Sequence, residues 1–266
     1  MLKTRVITAL CLAAGLLAAL FLLPLSASAA LFAVVIGLGA WEWAGLLRAG
    51  GRARQIYAWL TLAPCLALYL FGMPAAVTGI LWSVALGFWL VLAPLWFSRG
   101  WALKPDLKGF LLGWLLLVPS WAAMVMLQRR SPLLLLAAMS LVWVADIAAY
   151  FTGHTWGRHK LAPTISPGKT WEGAVGALLA VVLYGLILGA ALGRLNQLRQ
   201  FALAAAALAL ATAVSIVGDL FESLAKRQAG VKDSSALLPG HGGVLDRIDS
   251  LTSTLPLVAL AAAYLA

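Results

Sequence analysis

The sequence predicts an all-α, polytopic membrane protein of about nine transmembrane helices with its N-terminus in the cytoplasm. Three observations carry that expectation. Of 266 residues, 63% are hydrophobic and 11% are charged, against about 25% charged in soluble domains. The mean hydropathy is +0.97, which excludes a water-soluble globule. Long apolar runs recur between short breaks, and no alternating pattern of the kind a membrane barrel requires persists. Helices and closed barrels alone satisfy their backbone groups in lipid, so helices remain. Nine spans of about 20 residues each leave no room for a separate soluble domain.

The apolar runs fall at roughly 6–24, 28–47, 55–72, 74–97, 109–128, 132–152, 171–193, 201–222 and 248–266. Lys3 and Arg5 precede the first, and Ser26-Ala27-Ser28-Ala29 follows it, as in a cleavable signal peptide. The further spans favour a retained helix instead. Pro24 separates the first run from the second, which carries Glu42 between Trp41 and Trp43. Packing and a contribution to a distant site are equally open for that residue. Arg48-Ala49-Gly50-Gly51-Arg52, Gly72-Met73-Pro74 and Arg99-Gly100 supply the next breaks. Cys11 and Cys65 sit inside apolar runs with no ligand-spaced partner, so both read as small hydrophobes. Residues 1–130 are thus about five N-terminal spans. Residues 131–266 form a second membrane region with two long polar loops, 153–170 and 223–247, where the candidate catalytic residues fall.

Orientation follows from the basic residues. With a cytoplasmic N-terminus, Lys3, Arg5, Arg48, Arg52, Arg54, Arg99, Lys104, Lys108, Arg158, Lys160, Lys169, Lys226, Arg227, Lys232 and Arg247 all face the cytoplasm. Only Arg129, Arg130, Arg194 and Arg199 face the other side, a bias of 15 to 4. That bias explains the net charge of +10 without nucleic acid, and it puts both long loops on the cytoplasmic side.

Seven of the nine acidic residues follow residue 140. Asp146 lies inside the sixth run, Glu172 opens the seventh, Asp219 and Glu222 close the eighth, Asp233 sits in the last loop, and Asp246 and Asp249 open the ninth. A carboxylate at the centre of a span costs about 2.5–3.5 kcal/mol on insertion scales, so a cluster of them needs a function. Asp219 and Glu222 share one helix face by their spacing, as do Asp246 and Asp249. Converging carboxylates suit a hard cation such as Mg²⁺. The intervening loop adds Lys226, Arg227, Lys232 and Pro239-Gly240-His241-Gly242-Gly243, the cations and glycine-flanked N–H groups that hold a polyphosphate. Phosphoryl or nucleotidyl transfer is the chemistry this combination supports. His241 is either a helix-terminal hydrogen-bonding residue or a phosphate contact. His154 and His159 read as surface residues.

A second block runs Ser166-Pro167-Gly168-Lys169-Thr170-Trp171-Glu172-Gly173. Its Gly-Lys-Thr resembles the end of a nucleotide-binding P-loop, but the first glycine of that motif would fall on Pro163, and no strand is expected before it. A Ser/Lys/Thr cluster at a helix N-terminus remains, a natural place for an anionic headgroup.

The run Ser223-Leu224-Ala225-Lys226-Arg227, then Lys232-Asp233-Ser234-Ser235 and Pro239-Gly240-His241-Gly242-Gly243-Val244-Leu245-Asp246-Arg247-Ile248-Asp249, resembles the signature of the phosphatidate cytidylyltransferase (CDP-diacylglycerol synthase) family. Ala225 departs from it where a larger apolar residue is usual. The Asp146–Gly173 region is similar too, and the specific likeness covers about 140–255. The resemblance implies transfer of CMP from CTP to phosphatidic acid, giving CDP-diacylglycerol and pyrophosphate, in a bacterial cytoplasmic (inner) membrane with Mg²⁺ and room for K⁺ beside it. Carried over, Asp219, Asp246 and Asp249 hold metal. Asp219, Asp246, Lys226, Lys232 and His241 act in catalysis, and Asp146, Ser166, Lys169, Thr170, Glu172, Ser223 and Arg227 bind substrate. A homodimer stays open. A CTP-dependent lipid or polyprenol kinase shares helices, CTP and metal, and a secondary transporter shares intramembrane carboxylates. The Asp-Gly-x-x-Ala-Arg motif of CDP-alcohol phosphotransferases is absent.

Overall fold

Each apolar run becomes a helical rod. A computed structural model describes residues 2–264, with the side chains of Lys3 and Arg5 outside those described. In order the helices are α1 (Leu2–Phe21), α2 (Leu25–Leu46), α3 (Gly51–Leu70), α4 (Ala75–Gly87), α5 (Ala93–Arg99), α6 (Leu107–Arg130), α7 (Pro132–Trp156), α8 (Trp171–Ala191), α9 (Leu198–Ala229) and α10 (Leu245–Tyr264). A π-helical turn, Phe88–Leu92, fuses α4 and α5 into one rod, so the described residues form nine rods. Six of these are long and apolar enough to cross a membrane: α2, the α4–α5 rod, α6, α7, α8 and α9.

The rods begin where the sequence supplies a stop or a cap. Pro24 and Pro74 precede α2 and α4, and Pro132 opens α7. Asp106 accepts from Gly109 N at 2.9 Å and caps α6. Gln197 and Gln200 cap α9 reciprocally.

Helix α6 sits at the centre, against α2, α7 and α10. In a water-poor interior a buried indole N–H is stabilised by an acceptor, and of these only that of Trp89 lacks one among the described residues. Trp43 donates to Gly109 O, Trp82 to Pro119 O and Trp121 to Ala29 O, at 3.0, 3.1 and 3.0 Å, and each bond crosses between helices. Pro256 cannot donate to the carbonyl of Thr252 one turn earlier. Ser120 Oγ of α6 lies 3.1 Å from that carbonyl, with its shorter contact, 2.6 Å, to Leu116 O one turn earlier. The π turn brings Phe88 and Trp89 inward together, and both pack edge-on against Phe221 of α9, at 5.2 and 5.8 Å. Trp43 stacks on the same ring, so α9 is held in register beside α2 and the α4–α5 rod.

The loops counted as cytoplasmic gather at one end of the bundle. Thr8 of α1 donates to Pro239 O, Arg48 donates to Gln228 O, and Arg227 Nε donates to Ile165 O. Gln228 also joins the 100–106 segment, taking Leu103 N at 2.7 Å and donating to Trp101 O at 2.8 Å. At the other end Gln128 donates to Leu20 O, and Arg130 bonds the carbonyl of Ala262.

Both long loops differ from the sequence expectation. The first is shorter, because α7 runs on to Trp156, and it contains a hairpin. Strands β1 (Lys160–Ala162) and β2 (Ser166–Thr170) pair antiparallel, with Lys160 opposite Thr170. Gly168-Lys169-Thr170 therefore lies within a strand, which separates it further from a P-loop. In the second, α9 continues to Ala229 and ends at Gly230 in a left-handed conformation (φ 77°). Ser223, Lys226 and Arg227 consequently stand on helix rather than on loop.

Candidate active site

A cavity of about 610 Å³ opens between α7, the β1–β2 hairpin, α8 and α9, with Ser250 of α10 at its edge. Its polar lining includes Asp146, Ser166, Lys169, Thr170, Ser215 and Asp219, while Ala145, Ala149, Ala174, Ala177 and Ile216 supply apolar wall. Five residues singled out from the sequence thus meet in one place. Thr170 Oγ1 accepts from Gly173 N at 3.1 Å and caps α8, as a helix-terminal threonine should. Lys169 crosses from the hairpin to an ion pair with Asp219 of α9, and Ser223 Oγ donates to the same carboxylate at 3.4 Å.

Close helix contact brings a further carboxylate, Asp249, near Asp219. At Gly218, an added Cβ would lie 2.9 Å from Ser253 Cβ and 3.1 Å from Asp249 O, so only glycine lets α9 press this closely on α10. The charges of Asp146, Asp219 and Asp249 consequently bear on one another. Asp249 Oδ1 accepts from the N–H of its neighbour Ser250 at 2.7 Å.

Behind the cavity lies a second, buried cluster. Lys226 Nζ bonds Glu222 Oε2 at 2.6 Å and Asp246 Oδ1 at 2.7 Å, joining α9 to α10. Asp246 Oδ2 accepts from Gly243 N at 2.7 Å and from Ser234 N and Oγ, both at 2.9 Å. Glu222 Oε1 is buried with no hydrogen-bond partner. Asp246, Lys226 and Asp249 do not line the cavity itself.

The remaining sequence-selected residues are more scattered. Glu172 accepts from His159 Nδ1 at 2.7 Å and ties α8 to the bend that leads into β1, away from the cavity lining. Arg227 fastens the hairpin through Ile165 O at 3.3 Å. Lys232 is exposed on the 230–244 loop. His241 donates its N–H to Leu238 O at 2.8 Å, and its buried Nδ1 has no partner. His154 is exposed, as a surface residue should be, and it also lines the cavity, stacking on Tyr150 at 5.9 Å.

Among the described residues, no three His, Cys, Asp or Glu side chains close around one point as a ready metal centre. The donor chemistry nevertheless suits a hard cation. Lys169 pairs with Asp219, and Lys226 with Glu222 and Asp246; Asp146 feels the charges of Lys169 and Arg247, and Asp249 that of Lys226. Carboxylates outnumber these cations, and one buried carboxylate oxygen lacks any donor.

Glu42 is the residue the sequence left undecided. It is fully buried, and its carboxylate reaches from α2 to the start of α10, accepting from Val244 N at 2.9 Å and Leu245 N at 2.6 Å.

Residues 3–265 match the cytidylyltransferase family. The phosphatidate cytidylyltransferase of Pseudomonas aeruginosa is 44% identical over 97% of this chain and 96% of its own length. The enzyme of that name from Haemophilus influenzae is 37% identical over 96% of each chain. That of Brucella suis is 35% identical over 100% of this chain and 94% of its own.

Proposed function

The chain belongs to the cytidylyltransferase family, and on that premise we propose that it transfers CMP from CTP to phosphatidate, releasing pyrophosphate and CDP-diacylglycerol. The observation that carries the proposal is the cavity in which Asp146, Lys169, Thr170 and Asp219 meet beside an apolar wall. Such a site suits a substrate with a charged phosphate and an apolar body.

The chemistry asks little of a general base. A phosphate monoester is already ionised near neutral pH, so one of its oxygens attacks the α-phosphorus of CTP directly. A new P–O bond forms there as the bond to the β-phosphate oxygen breaks and pyrophosphate leaves. Catalysis then rests on positioning and charge neutralisation. Lys169, Ser166 and Thr170 bind the lipid phosphate or the near side of the nucleotide, and Lys232 and His241 meet the polyphosphate from the 230–244 loop. Lys226 and Arg227 act from behind, Lys226 by fixing Asp246 and Arg227 by fixing the hairpin. Asp219, Asp246 and Asp249, with Asp146 opposite, would hold Mg²⁺, which supplies positive charge to the phosphates; K⁺ would suit the same oxygen-rich surroundings.

All nine rods are proposed to cross a bacterial cytoplasmic membrane, with the cavity end in the cytoplasm where CTP is available. Supporting this, the five basic segments that face one way in the sequence count meet at one end of the bundle.

The test follows the phosphorus. Purified protein in detergent receives Mg²⁺, phosphatidate and CTP labelled at the α or the γ position. α label should enter a chloroform-soluble product and γ label should leave in pyrophosphate. γ label in lipid would make the protein a lipid kinase.

A further inference from the structure

We propose that Glu42 is a positioning residue for the transfer reaction: from α2 it fixes the 234–235 segment and the first turn of α10, and so sets where Asp246 stands. The proposal rests on the reaction assigned above. It also gives the N-terminal half of the chain a direct part in the site.

Glu42 Oε1 accepts from Ser235 Oγ at 2.5 Å and Val244 N at 2.9 Å. Its Oε2 accepts from Leu245 N at 2.6 Å and meets Ser234 Oγ at 3.2 Å. Three donors on a fully buried carboxylate, with Ser234 Oγ alongside, make a charge-assisted clasp, not an incidental packing contact. All four come from the 230–244 loop and the start of α10, about two hundred residues away in sequence.

The first turn of any helix leaves N–H groups without intrahelical partners. At the entry to α10 the N–H groups of Gly243, Val244 and Leu245 are divided between two carboxylates. Glu42 takes Val244 N and Leu245 N, and Asp246 takes Gly243 N at 2.7 Å. Ser234 Oγ touches both acids but has one proton to give, and the shorter contact, 2.9 Å against 3.2 Å, is to Asp246. Gly243 is required where it stands, since a Cβ there would lie 2.5 Å from Glu42 Oε1 and 2.8 Å from its Cδ. Displacing Glu42 therefore frees the same peptide segment that orients Asp246.

The test combines turnover with amide exchange. Glu42→Gln loses the charge and one of the two acceptor oxygens. In detergent, peptides covering 231–246 should exchange at least tenfold faster than in the wild type, with α6 and α7 unchanged. kcat for CMP transfer should fall at least thirtyfold while KM for CTP and for phosphatidate stays within threefold. Glu42→Asp, which keeps the charge on a shorter arm, should recover part of kcat. Unchanged exchange in 231–246, or kcat within threefold of wild type, overturns the proposal. A parallel loss of kcat and a rise in exchange across every helix also overturns it, because that is general destabilisation. Should Glu42→Gln fail to fold, Ser235→Ala removes one donor and should give the same local exchange with a smaller kcat loss; a wild-type result in both readouts overturns the proposal. A wild-type protein that transfers no CMP overturns the assigned reaction instead, and the exchange data, which need no turnover, keep that outcome distinct.

Discussion

Lys169 on β2 and Asp219 on α9 form an ion pair across the cavity, so a two-stranded hairpin and a membrane helix meet at the charged centre of the site. The two partners have different consequences when removed. Asp219→Asn keeps the size and loses the charge, and turnover should fall more than a hundredfold with the protein still folded and inserted. Retention of more than about a tenth of the activity, a loss under about 1.4 kcal/mol, would remove Asp219 from the catalytic set. Lys169→Ala should raise KM more than it lowers kcat. Steady-state kinetics in detergent separate the two.

Lys226 should behave as a structural cation. Its ammonium lies between Glu222 and Asp246, whose side chains are 6% and 4% exposed. Removing one partner of a buried ion pair leaves uncompensated charge and costs about 3–5 kcal/mol. Lys226→Met should therefore lower the thermal midpoint in detergent clearly, whereas Lys232→Ala, on the exposed loop, should leave it near the wild-type value. Equal midpoints for the two variants would refute the distinction.

The helical rods were legible because burial in lipid imposes one simple rule, a sustained apolar run. The signature loop was legible too, since its glycines and charges lie close together in sequence. What escaped has a common physical cause. Glu42 finds its partners about two hundred residues away, and nothing beside it in the second run announces them. Gln228 joins Arg48, Trp101 and Leu103 in the same long-range way. The hairpin was missed because strands of three and five residues are too short for a period to show. Lys226 read as a phosphate ligand because α9 was expected to end near residue 222. One more turn places it four residues after Glu222, on the same helix face.

Sidedness has its own check. In a variant lacking Cys11 and Cys65, single cysteines at Lys160 and Lys232 should resist an impermeant thiol reagent in intact spheroplasts and react after lysis. A cysteine at Arg194, on the opposite side in the basic-residue count, should react in intact spheroplasts. Labelling of position 160 or 232 from outside would reverse the proposed orientation.

Metal binding can be tested without turnover, and Lys169 makes the test sharp. Asp146, Asp219 and Asp249 repel one another, and in this structure the Lys169 ammonium relieves part of that repulsion. A divalent cation at the same carboxylates would compete with it. Mn²⁺ titration followed by electron paramagnetic resonance, with no nucleotide present, should show Asp219→Asn and Asp249→Asn weakening binding at least tenfold. Asp106→Asn, at the cap of α6, should leave it unchanged. Lys169→Met should tighten Mn²⁺ binding, because it removes the competing charge, even though Lys169→Ala impairs substrate use. Weaker Mn²⁺ binding in Lys169→Met would show that the ammonium and the metal do not share Asp219, and would move the metal site away from this pair.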